Sequence, residues 1–444
     1  MDLLQLIPSF GNLLFTLGAF VIALLVIVAV HEYGHYIVGR WTGIDAEVFS
    51  LGFGPVLVSR YDKRGTRWQI AAIPLGGYVK FLGDADAASA LPDQRIDHMT
   101  EEEARRSIHR APLWARALTV AAGPVFNFIL SIVVFAGLFM VRGIATDPLT
   151  IADMPPVPYV NELQPGDQIV AIEGIETPEL DKFSAYANEL PVQDELLFTV
   201  LRDGSEVEAI GPHPYPPMVA AVSPDSAAAD GKIKVGDVIL SANGTEIDAF
   251  SQLQTTVADA EGAPVDLAIW RDGTVFDTTL TPRRTDLPLP DGGFETRWLV
   301  GISGSLWFEP ETKSPGLWEA LTGGVNQTIF IVESSISGLY HMIAGKISSC
   351  NLRGPIGIAE TSGTVAAQGL FAFISFIALL STAVGMLNLF PIPVLDGGHL
   401  MFHAYEAITG KPPGEAAMRV IMTAGLALIG TMMIFALSND IFCP

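Results

Sequence analysis

Residues 13–35 read LLFTLGAFVIALLVIVAVHEYGH, an uncharged apolar run that leads straight into a metal-ligating pattern. The apolar part, Leu13–Val30, is about the length a helix needs to cross roughly 30 Å of hydrocarbon. Its flank, Met1–Asn12, carries no Lys or Arg, and the run is long for a signal-peptide core, so a cleaved signal is not expected. Three further runs lack Asp, Glu, Lys and Arg: Ala117–Val141, Phe371–Leu395 and Val420–Leu437. Only 16% of the 444 residues are charged, against about 25% in soluble domains. The expected fold is a polytopic α-helical membrane protein with four transmembrane helices.

The net charge of −23 is unevenly spread: residues 143–370 hold 11 Lys and Arg against 32 Asp and Glu. A large acidic domain therefore separates the second and third spans. Nucleic-acid binding, which wants a basic face, is excluded. The basic residues gather in Gly39–Arg116, and Lys411 and Arg419 follow the third span. The positive-inside rule puts both of these loops in the cytoplasm. Both termini and the acidic domain then face a periplasm. Cys350 and Cys443, the two cysteines of the chain, would share that oxidising side, either bridged or as unrelated thiols.

The acidic domain repeats itself. Gly166-Asp167-Gln168-Ile169 recurs as Gly236-Asp237-Val238-Ile239, and Arg202-Asp203-Gly204 recurs as Arg271-Asp272-Gly273. Apolar runs between these turns read as strands, which predicts two small β-rich modules. Ser314–Ser349 mixes apolar residues at helical spacing with Glu319 and Glu333. It reads as an amphipathic helix, lying at the membrane surface or packed on the modules.

His31-Glu32-Tyr33-Gly34-His35 fits H-E-x-x-H. On a helix both imidazoles share a face and reach one metal, and Glu32 can take a proton from metal-bound water. Ionisable groups in a span are costly and usually serve a function. Catalytic zinc typically takes three protein ligands. The first and third spans run in the same direction, so Asp396, at the C-terminal end of the third, is expected to join His31 and His35. His399 and His403 are rival ligands. Pro391 and Pro393 should break the helix beside Asp396, which is tolerated at membrane depth only around a cavity.

Together these features resemble the site-2 protease family of intramembrane zinc metalloproteases, in particular its bacterial RseP-like branch (regulator of sigma-E protease). The resemblance rests on His31–His35 and on Asn388-Leu389-Phe390-Pro391-Ile392-Pro393-Val394-Leu395-Asp396-Gly397-Gly398. Ala122-Gly123-Pro124-Val125-Phe126-Asn127, Gly52-Phe53-Gly54-Pro55 and Ile73–Lys80 also carry it. It implies the first span with its motif over 1–38, a cytoplasmic loop with a membrane-associated β-structure over 39–112 and the second span over 113–142. It then implies PDZ-like domains over 143–213 (degenerate) and 214–285, and a periplasmic linker with the amphipathic helix over 286–369. The third span with the Asp ligand would cover 370–398, and 399–444 would hold a cytoplasmic loop, the fourth span and a short tail. The second module carries the fuller PDZ pattern, Ser223-Pro224-Asp225-Ser226-Ala227-Ala228.

The resemblance further implies Zn²⁺ as cofactor, Glu32 as the catalytic base, and substrate positioning by Asn388, Gly76, Gly77 and Tyr78. Gly76-Gly77 has a plainer reading as a hairpin turn. The substrates would be single-span proteins in the lipid bilayer of the bacterial inner membrane. Anti-sigma-factor-like regulators and remnant signal peptides are the expected types, cut after an upstream site-1 protease has trimmed them. Two other readings remain at this stage: a non-catalytic PDZ-bearing membrane scaffold of the same family, and a metal transporter. The intact His/Glu/His/Asp set speaks against the first, and the lack of repeats among the spans against the second.

Overall fold

A computed structural model describes residues 10–85, 99–224, 226–289 and 293–443. Met1–Ser9 of the N-terminal flank, Arg95 of the basic loop and Asp225 of the PDZ-like pattern lie outside the described residues. The chain divides into two compact units. One comprises residues up to Leu138, Leu317–Tyr340 and Ser349–Cys443; the other comprises Phe139–Gly316 and His341–Ser348.

The first unit begins with helix α1 (Phe10–Trp41) and a sheet built from two long segments, β1 (Ala46–Tyr61) and β2 (Arg67–Phe81), in which Phe49–Leu51 pair with both Trp68–Ile70 and Gly77–Val79. The short helix α2 (Glu101–Arg105) is closed by a capping box between Thr100 and Glu103. Helix α3 (Leu113–Arg142) follows and contains Pro124.

The second unit holds two modules. In the first, β3 (Ile144–Ala145) and β4 (Ile151–Asp153) precede β5 (Gln168–Ile172), β6 (Ile175–Glu176), α4 (Phe183–Ala187), β7 (Leu196–Arg202) and β8 (Ser205–Gly211). In the second, β9 (Ala221–Val222) and α5 (Ala227–Asp230) precede β10 (Val238–Ala242), β11 (Thr245–Glu246), α6 (Phe250–Asp259), β12 (Val265–Arg271) and β13 (Thr274–Leu280). The two four-stranded sheets share one order, β6-β5-β7-β8 and β11-β10-β12-β13. The repeated sequence explains this. Asp203-Gly204 and Asp272-Gly273 both have positive φ, the requirement of a type I′ hairpin turn. The arginine before each turn reaches back to the aspartate of the Gly-Asp step, at 2.8 and 2.7 Å for Arg202–Asp167 and 2.6 and 2.6 Å for Arg271–Asp237.

Residues 286–313 are more than the linker expected from the sequence. They complete a hairpin, β14 (Arg283–Pro288) with β15 (Phe294–Leu299), and then supply β16 (Ile302–Ser303), β17 (Glu309–Pro310) and β18 (Thr312–Lys313). β16 pairs with β9 of the second module, whereas β17 and β18 return to β4 and β3 of the first. Trp307 and Phe308 are buried in the first module's core beside Phe183 and Phe198. The boundary at 285 is therefore too early. Two-residue pairings across some 160 positions leave no local periodicity to read.

Helix α7 (Leu317–Ile343) follows, then α8 (Pro355–Ala367), α9 (Leu370–Asn388), α10 (Asp396–Thr409) and α11 (Glu415–Phe442). Small residues line the buried stripe of α7, and Gly324 sits against the α3 backbone at Ile132 and Ala136. Leu13–Trp41, Leu113–Arg142, Leu370–Asn388 and Ala416–Phe442 are long and apolar enough to cross a membrane, four among the described residues. α1 and α9 pack through Ala23, Ile27 and Ile377, and Gly363 of α8 leaves room for Thr16 of α1.

Candidate metal centre

His31 and His35 lie on the last third of α1, one turn apart and on one face. Asp396 corrects the sequence reading in one respect. It does not end the third span; α9 stops at Asn388, the chain turns, and Asp396 is the first residue of α10. Pro391 and Pro393 have no N–H to continue a helix. Gly397 and Gly398 lie against the carbonyls of Leu389, Phe390 and Ile392, where a Cβ would overlap. The Asp-Gly-Gly sequence is what lets the returning chain pass this closely.

The three side chains converge. His31 Nε2 and His35 Nε2 are 3.1 Å apart, His31 Nε2 is 3.2 Å from Asp396 Oδ2, and His35 Nε2 is 3.5 Å from Asp396 Oδ1. Despite that approach, Asp396 Oδ2 is buried and has no hydrogen-bond partner. Two donors each about 2.1 Å from one tetrahedral zinc lie about 3.4 Å apart. The spacing and the orphaned oxygen both fit such an ion. Among the described residues this is the one such group of His, Cys, Asp and Glu.

The site lines a cavity of about 290 Å³. Glu32, Gly77, Tyr78 and Asn388 share that lining; Gly76 does not, and lies against the Phe53 ring instead. Both glycines are inside β2, with Leu51 opposite Gly77, so they are not a hairpin turn. Gly77 is tight against Glu32, Val28 and the Ser50 carbonyl. Tyr78 OH accepts from Gln69 Nε2 at 3.2 Å, which also reaches Ser50 at 3.1 Å. The close approach of Gly77 to Val28 and Glu32 sets this sheet against the motif helix.

His399 and His403 line the cavity from α10 but do not join the ligand group. Burial, then the nearby Arg116 charge, pushes His403 down to about 4, so it is neutral at physiological pH. Arg116 forms a two-pronged ion pair with Glu406 of α10 at 3.1 and 2.6 Å. This ties α10, and hence Asp396, to α3. The sequence reading assigned no role to Arg116, His109 or Asn127; a polar residue inside an apolar span is the signal that marks Asn127. Cys350 and Cys443 are joined as a disulfide with Cα atoms 5.6 Å apart.

Two imidazoles, a carboxylate and an adjacent glutamate in a bundle of membrane-length helices define a metal-dependent hydrolase, and comparison with known proteins agrees. The pattern of peptidase family M50 matches residues 19–432. A Rhizobium meliloti (strain 1021) protein, named as a candidate zinc metalloprotease, is 36% identical over 433 residues, 97% of each chain. An Agrobacterium fabrum protein named in the same way is 36% identical over 427 residues, 95% of this chain and 94% of that one. The regulator of sigma-E protease RseP of Salmonella typhimurium is 32% identical over 460 residues, 97% of this chain and 99% of that one. The chain belongs to peptidase family M50, the site-2 proteases, and is a zinc metalloprotease.

Proposed function

We propose that this chain is an intramembrane endopeptidase that cuts single-span membrane proteins, with His31, His35 and Asp396 holding zinc and Glu32 as the base. The observation that carries this reading is the convergence of the three ligand atoms at the end of a membrane-length helix. Zinc, when bound there, supplies Lewis acidity to the scissile carbonyl and acidifies water. Glu32 takes the water proton and returns it to the leaving amine.

A helical substrate hides its amide bonds and must unwind before attack. The free edge of β2 beside the cavity, at Gly77 and Tyr78, would pair with the unwound segment, and the Asn388 amide would hold its backbone. Gly76 would act indirectly, by admitting the Phe53 ring. On this reading the enzyme lies in a bacterial inner membrane, with the termini and the β-modules periplasmic and the zinc near the cytoplasmic side. The modules act as a PDZ-like pair that gates access. Substrates are regulators of the anti-sigma-factor type or remnant signal peptides, already trimmed by a site-1 protease. The Salmonella relative's name, a regulator of sigma-E, supports that class.

Glu32→Gln should retain one zinc per chain and lose cleavage of a single-span reporter by at least about 100-fold, the scale of general-base catalysis. Cleavage at the wild-type rate would remove Glu32 from this role.

A further inference from the structure

His35 and His31 face the metal position through Nε2, so each must keep its hydrogen on Nδ1 to offer a lone pair there. For His35 the partner is plain. Its Nδ1 donates to the Thr119 carbonyl at 2.9 Å, and a carbonyl only accepts. For His31 the partner is Asn127 of α3, fully buried, with its amide nitrogen 3.2 Å from Nδ1. An amide nitrogen there would donate to Nδ1 and put the imidazole hydrogen on Nε2, pointing at the other ligands. The same side chain has an orphan: Asn127 Oδ1 is buried and has no partner. Rotating the amide by half a turn removes the conflict at His31, since Oδ1 then accepts from Nδ1–H and the amide nitrogen turns to the position Oδ1 has left.

We propose that Asn127 is a positioning residue for the metal centre, whose Oδ1 accepts from His31 Nδ1 and fixes the tautomer that leaves Nε2 open to zinc. The inference rests on His31 being a zinc ligand, as proposed above. The surroundings hold Asn127 for this purpose. Its backbone carbonyl accepts from Ser131 at 3.0 Å and from Ser381 of α9 at 2.9 Å. Gly385 of α9 lies against its Cβ, and one turn earlier Gly123 lies against both imidazoles. α3 thus offers each histidine one acceptor, a main-chain carbonyl for His35 and a side-chain oxygen for His31. Partners of this kind are worth about 10- to 100-fold in metal affinity.

Zinc affinity of the full-length protein in detergent, measured by competition with a chromophoric chelator, tests the proposal. Wild type binding one zinc, and His31→Ala failing to, checks the underlying metal reading separately. Asn127→Leu, close in shape but without an acceptor, should bind zinc about 10- to 100-fold more weakly. Asn127→Asp, which keeps the acceptor, should stay within about threefold of wild type, by the same scale. Thermal unfolding in excess chelator screens each variant for intact folding. A folded Asn127→Leu with wild-type affinity would overturn the proposal, and so would a folded Asn127→Asp as weak as Asn127→Leu.

Discussion

The centre depends on what two helices lack as much as on what they carry. Gly123 of α3 faces His31 and His35 where any Cβ would overlap both rings. Helix α3 can therefore lie flat on the motif and bring Thr119 and Asn127 within hydrogen-bonding reach. Pro124 leaves the Val120 carbonyl without its helical donor, at a position that lines the cavity. Gly123→Ala adds one methyl group to a packed site, a change that costs roughly 1–3 kcal/mol. The expected result is a folded protein with zinc content well below one per chain and cleavage reduced in proportion. Metal analysis on the purified variant checks this, and full zinc occupancy would show that the helices can part without moving the ligands.

Elements made from adjacent residues were legible; those made from distant ones were not. The 18-residue apolar run announced α1, and the Gly-Asp and Arg-Asp-Gly repeats announced two like sheets. The return of β17 and β18 to the first module was invisible, because strands two residues long carry no alternation to detect. At the centre, H-E-x-x-H and the direction of the spans sufficed to bring Asp396 to the histidines. They did not show that Asp396 begins α10, since that depends on Gly397 and Gly398 passing close to the turn at Leu389–Ile392. The repeated Arg–Asp pair also carries a prediction. Burial opposes ionisation of Asp167, but the Arg202 guanidinium and the Gln164 amide hold its carboxyl below the usual carboxylate range. A carboxylate with a depressed folded pKa stabilises above its unfolded value of about 3.9 and loses that contribution as pH falls through the folded value. Thermal melts of the full chain should show the β-unit losing stability below about pH 4, and Asp167→Asn should be less stable at pH 7 with a shallower acid loss.

At the scale of the molecule, the helical unit is closed at both ends of the segment that carries Asp396. At one end Arg116 of α3 grips Glu406 of α10. At the other, the last turn of α11 clasps the start of α8. Asn439 donates to the carbonyls of Ser349 and Leu352, Asp440 accepts from the amides of Gly354 and Ile356, and Cys443 is bonded to Cys350. Asp440 also sets a negative charge at the N-terminus of α8, where the helix dipole favours it. The disulfide spans a sequence separation of 93 residues, for which chain entropy alone allows on the order of 4 kcal/mol, an upper bound where a bilayer already confines the unfolded chain. Its effect should be confined to stability. Helix α9, about 28 Å long at 1.5 Å per residue, lies between α8 and the turn that leads to Asp396. The Asp396 end is separately tied by Arg116 and Glu406. Cys350→Ser with Cys443→Ser should therefore lower the thermal midpoint in detergent while leaving zinc affinity and cleavage at low temperature unchanged. Wild type should take up two alkyl adducts only after reduction. If the double variant instead lost zinc at a temperature where it remained folded, the clasp at α8 and α11 would be acting on Asp396 through the full length of α9.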